Sequence, residues 1–320
     1  MAGRVRRSKK KRWGPKYADM RDWQTYNAQL VKRGQFFLDL GWVEGWQEEL
    51  DRMNKGKTGR PYVFPNSLIR LQGFWHAMRI PYRMIMGITK QLYEMADLPA
   101  YNHYSTTNRR INQLDIEIDL PLGEEITVFA DGTGFQAVVG GEYLRSKYGK
   151  KNRRWVQVTI LGDPETKEPV SFEVSLIPGS EADSAERQLD ALMDEGVNIR
   201  SFGGDGGYDK ISLWQYLERE RIRPIIKPDR NARVDSDSDW RNRHTRYRND
   251  QGYRSWVKVT GYGKRWPATE GIFSAIKRTF GENLAATRQK GLIQEGSVKK
   301  LLLKITVSYR GGFHKVFPRW

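Results

Sequence analysis

The sequence predicts an α/β protein in which an all-α region precedes a mixed sheet, and two observations predict it. From Trp23 to about Leu114 apolar residues recur at helical spacing. After residue 123 short apolar runs typical of strands come first, and strands then alternate with helices, which is the pattern of a mixed sheet with helices on its faces. We therefore expect three parts: a basic flexible arm over residues 1–18, a helical region over 19–122 and an α/β domain over 123–320.

Charge is the most unusual feature of the composition. The 320 residues include 55 Lys and Arg against 38 Asp and Glu, a formal net charge of +17. Basic and acidic residues number 21 and 12 up to residue 122, 21 and 23 over residues 123–255, and 13 and 3 over residues 256–320. Two basic flanks around a near-neutral middle favour binding to nucleic acid, because each neutralised phosphate releases counterions. A basic surface kept for solubility is the alternative.

Composition also excludes several kinds of site. The chain has no cysteine, which rules out disulfides, thiolate zinc sites and a cysteine nucleophile. Its four histidines, His76, His103, His244 and His314, are scattered, so a metal would be held mainly by oxygen. No apolar stretch has the length of a membrane span, about 18 residues, and none near the N-terminus resembles a signal peptide. We expect a soluble cytoplasmic protein associated with the nucleoid.

The helical region contains possible nucleic-acid contacts. Pro81 separates two apolar helices, and Ser105 is the expected cap of a short helix that carries Arg109 and Arg110. Consecutive short helices ending in an arginine pair fit a helix-turn-helix reader of DNA. They fit equally a bundle that only packs.

Three acidic residues stand where strands or helices are expected to begin or end. Asp131 follows the apolar run Val128–Ala130, so we expect it to end the first strand and to need a cationic partner. Asp205 stands in SFGGDGGYDK, between a strand and a helix, with glycines that would let a ligand approach closely. Glu270 is expected to start an amphipathic helix, with Lys277 two turns further along the same face.

Three carboxylates on two strand ends and one helix can form an all-oxygen site for two Mg²⁺ or Mn²⁺ ions. At a separation of about 4 Å such charges repel by roughly 4 kcal/mol per pair, so the cluster needs divalent cations. Two ions would activate a water or a 3′-hydroxyl and stabilise the leaving oxygen of a phosphodiester. One aspartate at a strand end is more often a turn or cap residue, so the argument depends on all three.

The segments VFADGTGF, GGDGGYD and YGKRWPATEGIFSAIKRTFGENL resemble the DDE transposases of bacterial and archaeal insertion sequences, in the group whose third acid lies in a Tyr, Arg, Glu, Lys signature. The resemblance covers most of residues 60–310, since GRPYVFPNSLIRL and YSTTNRR resemble that group's N-terminal DNA-binding region. It implies an RNase H-like catalytic domain in which Asp131, Asp205 and Glu270 are the catalytic, metal-binding triad.

The same resemblance implies roles for three further residues. Tyr262, Arg265 and Lys277 match the signature and are implied to contact DNA, with Lys277 on a phosphate near the transposon end. Four residues separate Arg265 from Glu270, one more than is usual in that group.

Two other basic segments suggest DNA contacts. Six basic residues lie between Arg145 and Arg154, in the predicted hairpin that joins the first two strands. We expect four of them to bind DNA phosphates: Lys150, Lys151, Arg153 and Arg154. Residues 229–252 read as a basic insertion or loop, which either contacts DNA or is merely solvated.

Together these observations predict a transposase that cuts and joins double-stranded DNA, at transposon ends and target, as a homodimer. Two rivals remain open: a nuclease of the same fold without strand transfer, and an inactive, transposase-derived DNA-binding regulator. The intact acids argue against the regulator, and the extra residue before Glu270 favours it.

Overall fold

The computed structural model describes residues 22–114, 120–137, 154–177, 179–286 and 288–297. The arm predicted over residues 1–18 lies outside them. None of the helices in these ranges is long and apolar enough to cross a membrane.

The N-terminal region is helical, as the apolar spacing predicts. Its α-helices are α1 (Trp23–Gln35), α2 (Trp46–Asn54), α3 (Asn66–Ala77), α4 (Tyr82–Met95) and α5 (Tyr104–Ile111). Pro81 is extended and precedes α4, so it separates α3 from α4 as expected. The predicted cap of α5 is wrong by two residues: His103 is the N-cap, and its side chain accepts from the Ser105 N–H.

One mixed sheet forms the centre of the α/β part. Its strands are β1 (Glu125–Ala137), β2 (Arg154–Gly162), β3 (Pro169–Ser175), β4 (Asn198–Gly204), β5 (Arg223–Ile226) and β6 (Asn283–Leu284). The order is β3-β2-β1-β4-β5, with the short β6 also paired to β1. Neighbours among β1, β2 and β3 are antiparallel, whereas β4 is parallel to both β1 and β5. This arrangement confirms the predicted α/β class, with a mixed sheet preceded by an all-α region.

Helices cover both faces of the sheet. They are α6 (Glu181–Asp194), α7 (Ile211–Arg219), α8 (Asp239–Gln251), α9 (Tyr253–Thr260), α10 (Arg265–Ala268) and α11 (Glu270–Phe280), and residues 289–297 are also helical. Buried side chains of α6 and α7 pack with Val128, Ala130 and Leu161 in one cluster. Those of α11 share a second cluster with β1, β2 and the N-terminal helices, so the helical region packs onto the sheet.

Asp131 does not end β1, contrary to the sequence prediction. The strand continues to Ala137 because β2 pairs with it continuously from Phe129 to Ala137. Parallel pairing with β4 stops at Phe129 and Gly203. Asp131 therefore lies at the point where one neighbouring strand ends and the other continues.

Part of the predicted basic loop is a helix. Within residues 229–252, α8 begins after Ser238, whose side chain accepts from the Arg241 N–H. Arg241 is buried and pairs with Asp209 (Nε to Oδ1, 2.8 Å) instead of facing solvent. The sequence shows that this segment is charged, but it does not show that Asp209 is the buried partner of Arg241.

Candidate active site

Asp131 is a half-buried carboxylate on the central strand. Its side chain is 18 % exposed, and its Oδ1 accepts from the Gly132 N–H at 2.9 Å. The pKa of Asp131 is raised to about 6, mainly by burial; the Arg265 guanidinium and the Gly132 N–H oppose this rise, and the charges of Asp205 and Glu181 add to it. Asp131 therefore lies within electrostatic range of two other acids and one cation.

Asp205 follows β4 directly and caps a short 3₁₀ turn. Its Oδ1 accepts from the Gly207 N–H at 2.8 Å. The two glycines before it are required by packing: a Cβ on Gly203 would overlap the Phe129 ring, and one on Gly204 would lie 2.7 Å from the Tyr208 ring. The expectation that these two glycines leave room for a ligand is therefore corrected, because aromatic rings fill that space.

Glu270 is the first residue of α11, as predicted, and Arg265 joins it to Asp131. Arg265 Nη2 donates to Glu270 Oε1 at 2.5 Å, and its Nη1 lies 3.6 Å from Asp131 Oδ2. The cation that the sequence requires beside Asp131 is thus Arg265. The side chains of Arg265 and Asp131 are each 18 % exposed, so their contact is partly shielded from water, whereas the Glu270 side chain is 48 % exposed.

Asp131 and Glu270 line one open cavity of about 470 Å³. Lys277 and Arg278 lie on its wall, two turns along α11 from Glu270. The Lys277 side chain is 28 % exposed, lies over the Phe135 ring and has its Nζ 3.9 Å from Glu282 Oε1. The cavity lining, which also includes Glu282, therefore combines three acids with two cations, and this combination suits a ligand that carries both phosphate and bound metal.

Tyr262 packs inside the protein. It is 8 % exposed and shares a cluster with Phe129 and Trp256. Its ring centroid is 5.8 Å from the Arg265 guanidinium carbon, and burial raises the pKa of its hydroxyl to about 12. Tyr262 thus packs beside Arg265, and little of its surface remains for the DNA contact that the resemblance implies.

The arginine pair of α5 divides into an exposed and a buried member. Arg109 is exposed. Arg110 donates to Phe64 O at 3.2 Å and to Asn66 Oδ1 at 2.6 Å, and it lies over the Tyr62 ring. Arg110 is therefore engaged within the protein, and Arg109 is the member that can reach a phosphate.

The predicted basic hairpin is largely outside the described residues. Lys150, Lys151 and Arg153 lie there, and Arg154 is described only as the first residue of β2. Their predicted role in DNA binding stays a prediction.

Glu181 is a fourth acid at this edge, and the sequence analysis missed it. It is the first residue of α6, and a Cβ on Gly132 would overlap its carboxylate. Burial and the charge of Asp205 raise the pKa of Glu181. In the sequence, Glu181 is marked only as an acidic residue at the start of a predicted helix. Acidic residues are common at helix N-termini, so this position alone does not indicate a functional site.

The donor chemistry fits a divalent cation, although the side chains are not gathered around one point. Asp131, Asp205 and Glu270 offer only carboxylate oxygens, the ligands that Mg²⁺ and Mn²⁺ prefer. Among the residues with described positions, no three His, Asp or Glu side chains are arranged to hold an ion. Arg265 occupies the space between Asp131 and Glu270, so joint binding of a metal by these two requires Arg265 to move.

Comparison with known proteins gives two family matches, each described as a Transposase DDE domain. One covers residues 31–140 and the other residues 123–295, which include Asp131, Asp205 and Glu270.

Two solved structures resemble the chain. The piggyBac transposase in a synaptic complex with hairpin DNA is 10 % identical, with a TM-score of 0.39 over 87 % of this chain and 74 % of that one. The Drosophila P element transposase in a strand transfer complex is 14 % identical, with a TM-score of 0.32 over 83 % and 69 %.

Proposed function

This chain belongs to the DDE transposases, and from that premise we propose that it binds the terminal repeats of an insertion sequence and catalyses strand cleavage and strand transfer. The observation that supports this most directly is the cavity in which Asp131 and Glu270 face Lys277 and Arg278. Asp205 follows the neighbouring strand and interacts with Asp131 through charge.

Asp131, Asp205 and Glu270 are the residues that would hold Mg²⁺ or Mn²⁺, two ions in our proposal. Bound there, the ions would supply an activated oxygen nucleophile and neutralise charge on the phosphodiester. The protein's own contribution is to position these acids on rigid elements. Asp131 lies within a paired strand, and Glu270 starts a helix whose apolar face is buried.

Lys277 and Arg265 are the cations we assign to DNA phosphates. Lys277 lies on the cavity wall, so a phosphate that enters the cavity can displace its weak contact with Glu282. Metal binding by Asp131 and Glu270 would require Arg265 to leave Glu270, and its guanidinium would then be available for bidentate contact with a phosphate. The buried Tyr262 ring packs beside the guanidinium of Arg265.

Double-stranded DNA is the proposed partner, both as transposon ends and as target. Joining two ends needs two active sites, so we propose a homodimer on DNA.

The inactive regulator remains a second candidate because of one observation. Arg265 contacts both Asp131 and Glu270 in the structure. A regulator that binds no metal would need such a cation to neutralise these acids. The nuclease alternative differs only in its products.

We would incubate the protein with DNA that carries the flanking sequences of its own gene, with Mg²⁺ or with EDTA, and map the 3′ ends and joined products. Asp205→Ala should reduce cleavage by more than about 100-fold, since even residues that only support metal ligands cost 10–100-fold. Asp194→Ala, at the other end of the same domain's α6 and exposed, is the matched control. Specific binding without cleavage would favour the regulator, and cleavage without joined products the nuclease.

A further inference from the structure

The acid-bearing edge of the sheet carries a fourth carboxylate that the triad leaves out. Glu181 comes from α6, which packs against the sheet beside β1. Its carboxylate lies so close to Gly132 that any side chain there would overlap it. Glu181 therefore reaches the backbone next to Asp131, although 49 residues separate the two along the chain.

The charges around Glu181 are acidic. It interacts electrostatically with Asp205 and with Asp131. None of the ion pairs formed within the described ranges includes Glu181. The helix N-terminus explains why an acid at this position is stabilised. It does not explain why the carboxylate of Glu181 lies near two further acids.

A buried hydroxyl beside Glu181 is a second indication of a ligand. Tyr208 is 0 % exposed, and its hydroxyl interacts with the Glu181 carboxylate but forms no hydrogen bond of ordinary geometry with the part of the chain that the structure describes. The charges that it faces are those of Glu181, Asp131 and Asp205. A buried hydroxyl in such a place is expected to bond to a ligand or to the water of a ligand.

The turn before Glu181 is held in place by side-chain contacts. The Gln157 side chain binds both backbone groups of Gly179, donating to its carbonyl at 3.3 Å and accepting from its N–H at 2.8 Å. Ser180 caps α6 and accepts a hydrogen bond from Lys210. Contacts from Gln157 of β2 and from Lys210 thus fix the backbone just before Glu181. Supporting contacts of this kind are typical around metal-binding residues.

We propose that Glu181 is a fourth metal-ligating carboxylate, which acts with Asp131 and Asp205 on a divalent cation. The inference rests on the proposed function, because it assumes that Asp131 and Asp205 bind that cation. It adds a fourth residue to the triad of Asp131, Asp205 and Glu270.

Titration calorimetry of the full chain with Mn²⁺, without DNA, tests this independently of activity. Glu181→Gln keeps the shape and removes the charge, and it should weaken Mn²⁺ binding by about 10-fold or more, as Asp131→Asn should. Asp183→Asn removes the same charge from the same turn of α6, where its side chain is 60 % exposed, and should change the affinity less than about 2-fold. Equal losses in Glu181→Gln and Asp183→Asn would indicate a general charge effect and overturn the proposal.

The reference variant separates this inference from the proposed function. If Asp131→Asn weakens binding and Glu181→Gln does not, Glu181 is not a ligand and the triad stands. If neither changes the affinity, the proposed metal site fails as well.

Gly132→Ala gives a second test that leaves every carboxylate in place. The new methyl group would displace Glu181, so Mn²⁺ binding should weaken in the wild-type background and not weaken further in Glu181→Gln. Equal weakening in both backgrounds would mean that Gly132→Ala acts through Asp131, against our proposal. Thermal unfolding in EDTA shows whether each variant is folded.

Discussion

The guanidinium of Arg265 lies between two acids that the family resemblance assigns to metal binding. It is 2.5 Å from Glu270 Oε1 and 3.6 Å from Asp131 Oδ2. A half-buried carboxylate without a cation is costly, so an internal arginine stabilises the site before any metal is bound. If Asp131 and Glu270 bind a metal as proposed, this contact would have to break, which would couple metal binding to the position of Arg265.

We expect Arg265→Gln to destabilise the protein by about 1–3 kcal/mol in EDTA at pH 8, because it leaves the half-buried carboxylate of Asp131, beside the more exposed Glu270, without a cation. Mn²⁺ should restore more stability to this variant than it adds to the wild type, since no arginine has to be displaced. Urea unfolding with EDTA and with Mn²⁺ measures both effects.

The control is Arg187→Gln, which breaks an exposed pair of similar length, 2.6 Å to Glu173. It should cost less than about 1 kcal/mol and show no dependence on Mn²⁺. Equal costs in the two variants would contradict the role assigned to Arg265.

At the scale of elements, α8 shows how a highly charged helix becomes part of a packed unit. Arg241 forms a buried pair with Asp209, and Arg248 donates to the carbonyls of Pro228 and Asp229. Glu218 of α7 accepts from the Ser238 hydroxyl and the Trp240 N–H at the start of α8. Specific polar contacts therefore replace the apolar stripe that usually fixes a surface helix.

His244 makes this unit sensitive to acid. Its ring lies 5.2 Å from that of Trp214, and its Nδ1 accepts from Trp256 Nε1 at 3.3 Å. Burial, aided by the charge of Arg223, lowers the pKa of His244 to about 4. The unfolded chain binds the proton near pH 6.5, so stability is lost as pH falls from about 6.5 to about 4, by up to about 3 kcal/mol.

We expect His244→Asn to lose less stability than the wild type between pH 7 and pH 4, because asparagine does not titrate there and can accept from Trp256. Urea unfolding at several pH values measures this slope. His103→Asn is the control, since His103 is exposed and caps α5, where asparagine is also a good cap. If both variants keep the wild-type slope, His244 is not the acid-sensitive group.

At the scale of the whole molecule, the net charge of +17 bears on the DNA binding that we propose. Each phosphate contact by Lys or Arg contributes about 0.9 to the slope of log affinity against log salt. Exposed cations in the described part of the chain include Arg109 on α5, Arg278 on α11 and Arg243 and Arg246 on α8, so contacts can extend beyond the cavity.

We expect Lys277→Gln to weaken binding to duplex DNA in EDTA and to reduce the salt slope by about 1, because Lys277 is assigned one phosphate. Fluorescence anisotropy at a series of salt concentrations measures the slope. Arg219→Gln removes the same charge at the end of α7, where its side chain is 68 % exposed and pairs with Glu220, and it should leave the slope unchanged. An unchanged slope in Lys277→Gln would exclude this contact.

Much of the fold and part of the candidate site could be predicted because their signals are local. Apolar spacing marked the N-terminal helices, the strands and the start of α11 at Glu270, since the period of burial follows from backbone geometry alone. The three acids were identified for the same reason: each stands beside an apolar run or a glycine pair that can be seen in a short window. Family membership followed from such windows, and the family matches bear it out.

What only the tertiary structure decided depends on partners that are distant in the sequence. Arg110 is an internal residue because Asn66 and Phe64 lie beside it, and Tyr262 is buried because Trp256 and Phe129 cover it. No local pattern encodes such partners.

The same is true at the acid-bearing edge. Glu181 joins this edge because Gly132 leaves space for its carboxylate, and β1 continues past Asp131 because β2 pairs along its whole length. The sequence therefore determines which residue types are available for chemistry. Long-range packing decides which of them lie close together and which already bond to other residues of the protein.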